Sequence, residues 1–421
     1  MKATLYLTRN GLLEPLGQSQ VLAYLRGLSQ HYRITLITYE KDADWANEQL
    51  VMRVRHDCEA LGIRWLPLHF RSRPRLLASA LTMMEMAWLA RREVRTQNIR
   101  LIHARSYIPA AVALVVGAMS RIPFIFDMRS LWPEELITAG RLRRNPLLHT
   151  AIVAAERACL RSAAAVVSLT EAAAAHLQHA YPDEMAGQRI AVIPTCADLG
   201  RFRPPPHRSD QRIVGCLGTV LSGWFKTDWL ASFLTVAARR DPDLRFELTT
   251  RDDPRQVLTT LGLEETVRAR VNITPCPSDQ VQDILRGQMA SVMFFNGERI
   301  CALGRSPTRM AEILGCGVPV VVNEGIGDVA RIVRNYRVGV VASGSAPESM
   351  EATWTELRTL LNDPDLPLRC RQAAEDVFSL ECGIAAYASL YDAILHERPT
   401  DPAHRANIPD GNFQVEQPLA R

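Results

Sequence analysis

The segment from Ser306 to Asp328 has residue types and spacing that suit a nucleotide. Ser306, Pro307 and Thr308 predict a helix start, because Pro is preset for the first helical turn and Ser is a good N-cap. The free N–H groups of such a helix start attract phosphate. Glu312 lies one turn further in, where its carboxylate can accept hydrogen bonds from the two hydroxyls of a ribose. The alternative is an ordinary helix beside a strand, with Glu312 on its surface.

Polar side chains at the ends of predicted strands are further candidates for chemistry. His103 lies near the end of the fourth predicted strand, and Asp127 and Arg129 end the fifth. The carboxyl ends of parallel strands face the ligand cleft of a doubly wound sheet. Asp127 could therefore accept a proton from a substrate hydroxyl. The alternatives are that Asp127 pairs with Arg129 or Arg105 to order a loop, and that His103 is a hydrogen-bonded wall residue.

In each half of the chain, a turn containing glycine follows the first predicted strand. Gly17 is predicted to open the first helix and to leave room for a phosphate or sugar, although a glycine in such a turn is common. Gly218 precedes Lys226 at the mouth of a helix, which would bring a mobile positive charge to a diphosphate. Arg299 or Arg305 could supply the second charge. The sequence does not contain the GxGxxG spacing that marks a dinucleotide-binding fold.

The elements that must position these residues alternate between strand and helix. Short apolar segments predict strands at Thr4–Thr8, Ile34–Tyr39, Ile63–Phe70, Leu101–Ala104, Phe124–Met128, Ala165–Leu169 and Ile190–Pro194, and again at Ile213–Gly218, Arg245–Thr249, Val271–Thr274, Ser291–Phe295, Val318–Val322 and Gly339–Ala342. Because these strands are apolar on both sides, the pattern predicts parallel sheets covered by helices on both faces. The fold class is α/β, with two doubly wound, Rossmann-like domains.

The domain boundaries follow from composition. A proline-rich stretch, Arg201–Arg208, predicts a semi-rigid linker between an N-terminal domain of residues 1–200 and a C-terminal domain of residues 201–380. Apolar positions at helical spacing predict a terminal helix at 381–397. Residues 398–421 are polar and rich in proline, which is typical of a disordered tail.

Three separated segments resemble retaining glycosyltransferases of family GT4, which have the GT-B fold. They are the loop at Gly17, the hinge at Pro194–Phe202 and the helix carrying Glu312, which is followed by Gly315-Cys316-Gly317-Val318-Pro319-Val320-Val321. The resemblance implies two domains facing a central cleft, with the terminal helix returning to the first domain. The family usually carries a second Glu eight positions before Glu312, where Gly304 stands here. It therefore implies nucleotide binding and leaves the contacts to the sugar undefined.

The resemblance also implies roles for the candidate residues. A nucleoside diphosphate sugar would be bound by Gly17, Gly218, Lys226, Arg305, Ser306, Pro307, Thr308 and Glu312. Catalysis would involve Asp127, Arg129, His103 and Lys226, with Asp127 or Arg129 beside the transferred sugar. The implied reaction is transfer to a hydroxyl of a saccharide or lipid-linked acceptor with retention, in cell-surface polysaccharide biosynthesis. The alternatives are a non-catalytic nucleotide-sugar-binding subunit and a GT-B-shaped nucleotide-sugar epimerase.

Composition narrows the partners. At 421 residues the chain can hold two cores, and its net charge of +4 is too small to indicate nucleic acid. Nine scattered cysteines indicate reduced thiols, and no strand-end Asp-x-Asp motif occurs, so we expect transfer without a metal or cofactor.

The N-terminus lacks an export signal, and no apolar run approaches the roughly 20 residues that span a bilayer. These features predict a cytoplasmic protein.

One basic, apolar stretch leaves contact with the inner face of a membrane open. Arg71, Arg73 and Arg75 precede Leu77, Leu81, Met84 and Trp88 at near-helical spacing, and Arg91, Arg92 and Arg95 follow. Such a helix can lie on an anionic membrane, which would suit a lipid-linked acceptor. The interpretation that we favour is a helix whose apolar stripe packs on the sheet and whose arginines are solvated.

Overall fold

The chain divides into two compact units. The computed structural model describes residues 1–70, 75–144, 147–206 and 212–396. One unit is formed by Met1–Pro194 with Leu380–Arg421, and the other by Thr195–Ser379. The predicted tail of residues 398–421 lies outside the described residues, as do Arg71 and Arg73 of the basic stretch and the end of the predicted linker.

The N-terminal unit is built on a seven-stranded sheet. Its strands are β1 (Lys2–Leu7), β2 (Tyr32–Glu40), β3 (Arg64–His69), β4 (Ile99–Arg105), β5 (Phe124–Asp127), β6 (Ala165–Ser168) and β7 (Ile190–Val192). The order is β3-β2-β1-β4-β5-β6-β7, and all registered pairs are parallel. The order reverses at β1 and β4, so the loops that follow these strands flank a switch point where α/β sheets bind ligands.

Helices connect these strands. They are α1 (Pro15–Gly17), which continues through a π-helical turn (Gln18–Leu22) into α2 (Ala23–Leu28), then α3 (Asp42–Trp45), α4 (Glu48–Ala60), α5 (Arg75–Thr96), α6 (Tyr107–Ser120), α7 (Trp132–Thr138), α8 (Leu147–Ser162), α9 (Glu171–Ala180) and α10 (Pro182–Met185). None of the helices in the described part of the chain has the length and apolar character needed to cross a membrane.

The C-terminal unit repeats the pattern with six parallel strands. These are β8 (Ile213–Leu217), β9 (Arg245–Thr249), β10 (Val271–Thr274), β11 (Ala290–Met293), β12 (Val320–Asn323) and β13 (Gly339–Ala342), in the order β10-β9-β8-β11-β12-β13. The helices are α11 (Thr227–Arg240), α12 (Pro254–Leu261), α13 (Glu265–Arg268), α14 (Val281–Arg286), a 3-10 turn (Ile300–Gly304), α15 (Thr308–Gly315), α16 (Val329–Tyr336), α17 (Pro347–Leu361) and α18 (Leu366–Phe378). The last helix, α19 (Leu380–His396), belongs to the N-terminal unit.

Central strands of the sheets are buried on both faces, as their apolar residues predict. In β12, Val320 and Val322 pack into one hydrophobic cluster and Val321 into the cluster on the opposite face. Each of these three side chains has no exposed surface. The predicted α/β class and the two doubly wound sheets are confirmed, with strand ends displaced by only one or two residues.

Candidate functional site

Loops from three strands meet at the carboxyl edge of the six-stranded sheet. Phe225, in the loop after β8, forms an isolated antiparallel bridge with Phe295, which follows β11. The N–H of Lys226 donates to the carbonyl of Phe294 at 3.0 Å, and the N–H of Asn296 donates to that of Trp224 at 2.9 Å. The backbone thus fixes the loop carrying Lys226 beside the segment that leads to α15.

Asn323, the last residue of β12, ties a third loop into this edge. Its side-chain amide nitrogen donates to the carbonyls of Phe295 and Glu324, and its amide oxygen accepts from the N–H of Phe295, each at 2.8 Å. Sequence reasoning missed this residue. The available signal was a buried amide that ends a run of valines, since buried polar groups need partners.

Gly218 occupies a position that requires glycine. Its φ is +127°, and a Cβ placed there would meet no atom within 4 Å. The backbone that follows is held by Asp252, whose Oδ2 accepts from the N–H groups of Val220 at 2.6 Å and Leu221 at 2.9 Å. The chain is therefore turned sharply beside open space, and a role of Gly218 in binding the donor stays a prediction. Sequence reasoning did not identify Asp252.

Two cations are held near this edge by aromatic rings. The guanidinium of Arg305 lies 4.0 Å from the ring centre of Trp224, and Nζ of Lys226 lies 4.6 Å from that of Trp229. Nζ of Lys226 also pairs with Oε1 of Glu298 at 3.0 Å. Glu298 is largely exposed, so an incoming anion can replace it at little cost.

Helix α15 begins later than the sequence suggests. It starts at Thr308 with Pro307 as its N-cap, and the side chain of Pro307 makes no capping hydrogen bond. The prediction that Ser306 is the N-cap is wrong, because Pro307 stays extended at ψ 115° and the Ser306 hydroxyl instead accepts from the N–H of Thr195 at 3.0 Å. The first N–H groups of the helix have no intrahelical acceptor, so they remain available to an anion.

Glu312 lies one turn inside α15, as predicted. Its Oε2 accepts from Nη1 of Arg309 at 2.8 Å, and its side chain is 14% exposed. Its other carboxylate oxygen accepts no hydrogen bond from the part of the chain that the structure describes. One oxygen is therefore oriented by Arg309 and the other is available to a ribose hydroxyl.

Gly17 has an intramolecular reason to be glycine. The helical stretch opens at Pro15, two residues before the predicted start, with Glu14 as N-cap. A Cβ at Gly17 would overlap the carbonyl oxygen of Gly11 and lie 2.8 Å from Cα of Leu12. The chain crosses itself here, so the glycine is explained without a ligand.

We expect Gly17→Ala to destabilise the protein by about 1–3 kcal/mol, because the added methyl group meets backbone rather than a flexible side chain. Urea unfolding measures the effect. Gly223→Ala is the matched control, since a Cβ there meets no atom within 4 Å. Equal midpoints for the two variants would contradict this account.

In the N-terminal unit, the predicted strand-end residues form one buried cluster around Asp127. Its Oδ2 accepts from Nε2 of His103 at 3.3 Å and lies 3.7 Å from Nη1 of Arg105, while Nη1 of Arg129 is 3.9 Å from Oδ1. Asp127 has no exposed surface, and the side chain of Arg129 is 12% exposed. The pairing with both arginines is the alternative that the sequence left open.

Two tyrosines of α19 complete this cluster. The hydroxyl of Tyr387 donates to Oδ2 of Asp127 at 3.0 Å, and that of Tyr391 lies 2.7 Å from Nδ1 of His103. The sequence identified both tyrosines only as apolar positions of a helix. Their hydroxyl partners lie more than 250 residues away in the chain, so no local pattern could have revealed them.

Burial and charge set the protonation states. Burial alone would raise the pKa of Asp127, but the Arg129 charge, the His103 hydrogen bond and the Arg105 charge together lower it to about 2. Burial lowers the pKa of His103, so its ring is neutral near pH 7. Because the Asp127 carboxylate only accepts hydrogen bonds, His103 must donate from Nε2 and accept at Nδ1 from Tyr391.

The structure thus sorts the candidates into two groups. His103, Asp127 and Arg129 cluster in the N-terminal unit, and the remaining candidates apart from Gly17 lie in the C-terminal unit. Within the described ranges, no three His, Cys, Asp or Glu side chains are grouped as metal ligands.

Known proteins share this architecture. Residues 17–201 match the family model described as Glycosyltransferase Family 4. No curated protein sequence matches the chain. Sucrose-phosphate synthase from Thermosynechococcus elongatus is 13% identical, with a TM-score of 0.65 over 94% of this chain and 99% of that one. Anabaena HepE, solved in complex with UDP and glucose, is 16% identical, with a TM-score of 0.63 over 93% of this chain and 100% of that one.

The chain has the GT-B fold. The predicted resemblance to GT4-like glycosyltransferases is confirmed, and the family match supports glycosyltransferase function. A putative UDP-N-acetylglucosamine 2-epimerase from Listeria monocytogenes is also similar, at 13% identity and a TM-score of 0.56 over 95% of this chain and 97% of that one. Because the fold occurs in both kinds of protein, the residues of the site must decide between them.

Proposed function

We propose that the protein transfers a sugar from a nucleoside diphosphate sugar to a hydroxyl of a saccharide or lipid-linked acceptor. One observation carries the proposal. At the carboxyl edge of the six-stranded sheet, an uncapped helix start, the partly free carboxylate of Glu312 and the ring-held cations Lys226 and Arg305 occur together. Anion donors, a ribose acceptor and counter-charges for a leaving diphosphate are the groups that such a substrate needs.

In the proposed complex, the diphosphate lies at the start of α15 and the ribose hydroxyls bond to Glu312. Departure of the nucleoside diphosphate leaves negative charge on its terminal phosphate. Lys226, released from exposed Glu298, and Arg305, held on Trp224, would stabilise that charge more strongly in the transition state than in the ground state. These cations can fulfil the role of a divalent ion, which supports transfer without a metal.

We propose retention of configuration, on the family resemblance. Attack from the face of the departing phosphate allows that phosphate to take the proton of the acceptor hydroxyl. The low pKa of Asp127 fits this route, because a general base works best with a pKa near the operating pH. Asp127 and Arg129 would then act on the sugar and the acceptor through their charges, with His103 as a positioning residue.

The setting of the reaction is also a proposal. Met84 and Trp88 of α5 are exposed, and Arg92 stacks on Trp88 at 5.2 Å. Val115 and Met119 on α6 are exposed as well. An apolar surface with arginines suits peripheral contact with an anionic membrane. This surface supports a cytoplasmic enzyme of cell-surface polysaccharide synthesis that acts on a lipid-linked acceptor.

Gly304 supports a second candidate, a nucleotide-sugar-binding subunit without catalytic activity. This residue is buried in the 3-10 turn, so it offers no carboxylate at the position where the family resemblance implies a contact to the sugar. HepE has been solved with UDP-glucose, which makes UDP-sugars the first ligands to test. The second candidate and the enzyme would both bind the sugar donor, and only turnover separates them.

The deciding experiment has two readouts. We expect one class among UDP-, GDP-, ADP- and dTDP-sugars to raise the melting temperature of the protein, and Lys226→Gln to reduce that shift. We also expect slow release of nucleoside diphosphate from the stabilising sugar without an acceptor. Stabilisation without release or transfer would favour the binding subunit, and epimerised free nucleotide sugar would favour the epimerase. No stabilisation by any of the four classes would contradict the proposal.

A further inference from the structure

Two arginines end neighbouring strands of the N-terminal sheet with incomplete hydrogen bonding. Arg105 is the last residue of β4, and Arg129 follows β5, which pairs directly with β4. The side chain of Arg105 is 5% exposed. In the described part of the chain, its Nε, Nη1 of Arg129 and Oδ1 of Asp127 are buried without hydrogen-bond partners. The 3.9 Å between Nη1 and Oδ1 is too long for a hydrogen bond. Buried guanidinium N–H groups are costly to leave unpaired, so they point to a missing acceptor.

The charges of this cluster do not balance. Asp127 is the carboxylate that pairs with both arginines, at 3.7 and 3.9 Å, distances too long for hydrogen bonds. The charge of Asp127 is the main cause that raises the pKa of Arg129, followed by Tyr387, Tyr24 and Tyr6. His103 is buried and hydrogen-bonded on both ring nitrogens. One negative charge thus faces two positive charges in a site nearly closed to water.

Strained backbone holds both arginines in place. Ser106, directly after Arg105, has a φ of 76°, and Arg129 itself has a φ of 62°. Residues other than glycine rarely adopt this left-handed region, and such strain gathers at binding sites. The N–H of Ser106 donates to the carbonyl of Asp127 at 2.7 Å, which links the two strand ends. The partly exposed Arg129 gives the cluster its access to solvent.

We propose that Arg105 and Arg129 form a binding site for an oxyanion, either a phosphate or a carboxylate, carried by the acceptor. Guanidinium groups match both anions through paired N–H donors, and one oxyanion would supply the missing acceptors and the missing charge. The identification of the ligand as an acceptor rests on the proposed function. The anion site itself rests on the unpaired N–H groups and the charge excess.

The test measures binding of inorganic phosphate to the full chain by calorimetry, without nucleotide sugar and at constant ionic strength. We expect Arg129→Gln to weaken binding at least fivefold. Arg95→Gln, an exposed arginine of α5, should bind as wild type. Wild-type binding in Arg129→Gln would overturn the proposal. Should Arg129→Gln fail to fold, Arg129→Lys replaces it and is also expected to bind more weakly.

A second variant is expected to change the affinity for phosphate in the opposite direction. Asp127→Asn removes the one negative charge, so phosphate should bind at least threefold more tightly; unchanged or weaker binding would overturn the proposal. Repeating the titration with glucuronate, and with neutral glucose as the blank, shows whether the site prefers a phosphate or a carboxylate. Because nucleotide is absent throughout, this result is independent of the sugar-donor panel.

Discussion

Glu312→Ala is expected to weaken binding of the nucleoside diphosphate sugar by about 50-fold. The carboxylate would accept hydrogen bonds from two ribose hydroxyls, and hydrogen bonds to a charged group contribute about 1.5–3 kcal/mol, where about 1.4 kcal/mol is tenfold in affinity. The fold should tolerate the change, since the side chain is partly exposed and its hydrogen-bond partner is Arg309, one turn earlier. Calorimetric titration of the ligand found in the panel measures the loss.

Two comparisons isolate the ribose contact. Glu356→Ala, at an exposed position of α17, should bind as wild type. With a ligand that lacks the ribose 2′-hydroxyl, the difference between wild type and Glu312→Ala should shrink, because one of the two hydrogen bonds is already missing. An equal difference for both ligands would place the ribose away from Glu312. Unchanged affinity in Glu312→Ala would remove this residue from the site.

The periodicity of the chain was sufficient to predict the sheets. Each strand expected from an apolar run is present, and β9, β10 and β13 have the expected ends. The reason is physical: a strand covered on both faces carries apolar side chains on both, so its sequence differs from that of an amphipathic helix. The predicted strand ends were less accurate, because a predicted segment can extend past the last residue that pairs with a neighbouring strand. The segment predicted at Ile190–Pro194, for example, forms a strand only at Ile190–Val192.

The partners of the site residues could not be predicted in the same way. Asp252 bonds to the N–H of Val220 from 32 residues away, and Tyr387 bonds to Asp127 from 260 residues away. Such contacts depend on how the chain folds back on itself, which leaves no periodic signature. Ser306 illustrates the same difficulty locally, because its residue type fits an N-cap while its hydroxyl bonds to Thr195.

Asp127→Ala is expected to destabilise the N-terminal unit by about 3–5 kcal/mol at neutral pH, the usual cost of removing one partner of a buried ion pair. The variant leaves Arg105 and Arg129 buried without a counter-charge. Asp127→Asn keeps the shape and should be destabilised less than Ala. Urea unfolding measures both variants, and Asp243→Asn is the control, because Asp243 is 82% exposed. A loss of stability below about 1 kcal/mol in Asp127→Ala would show that solvent screens the charges of the two arginines.

Acid should remove the stabilising effect of Asp127. Its pKa is about 2 in the folded protein, below the ordinary value of 3.8, so protonation is easier in the unfolded chain. The contribution of the ionised carboxylate is complete above about pH 4 and disappears as the pH falls towards 2; it amounts to about 2 kcal/mol, at 1.36 kcal/mol per pKa unit. The stability difference between wild type and Asp127→Asn should therefore narrow by about that amount between pH 5 and pH 2.5. A difference that stays constant over this range would mean that folding does not lower the pKa of Asp127.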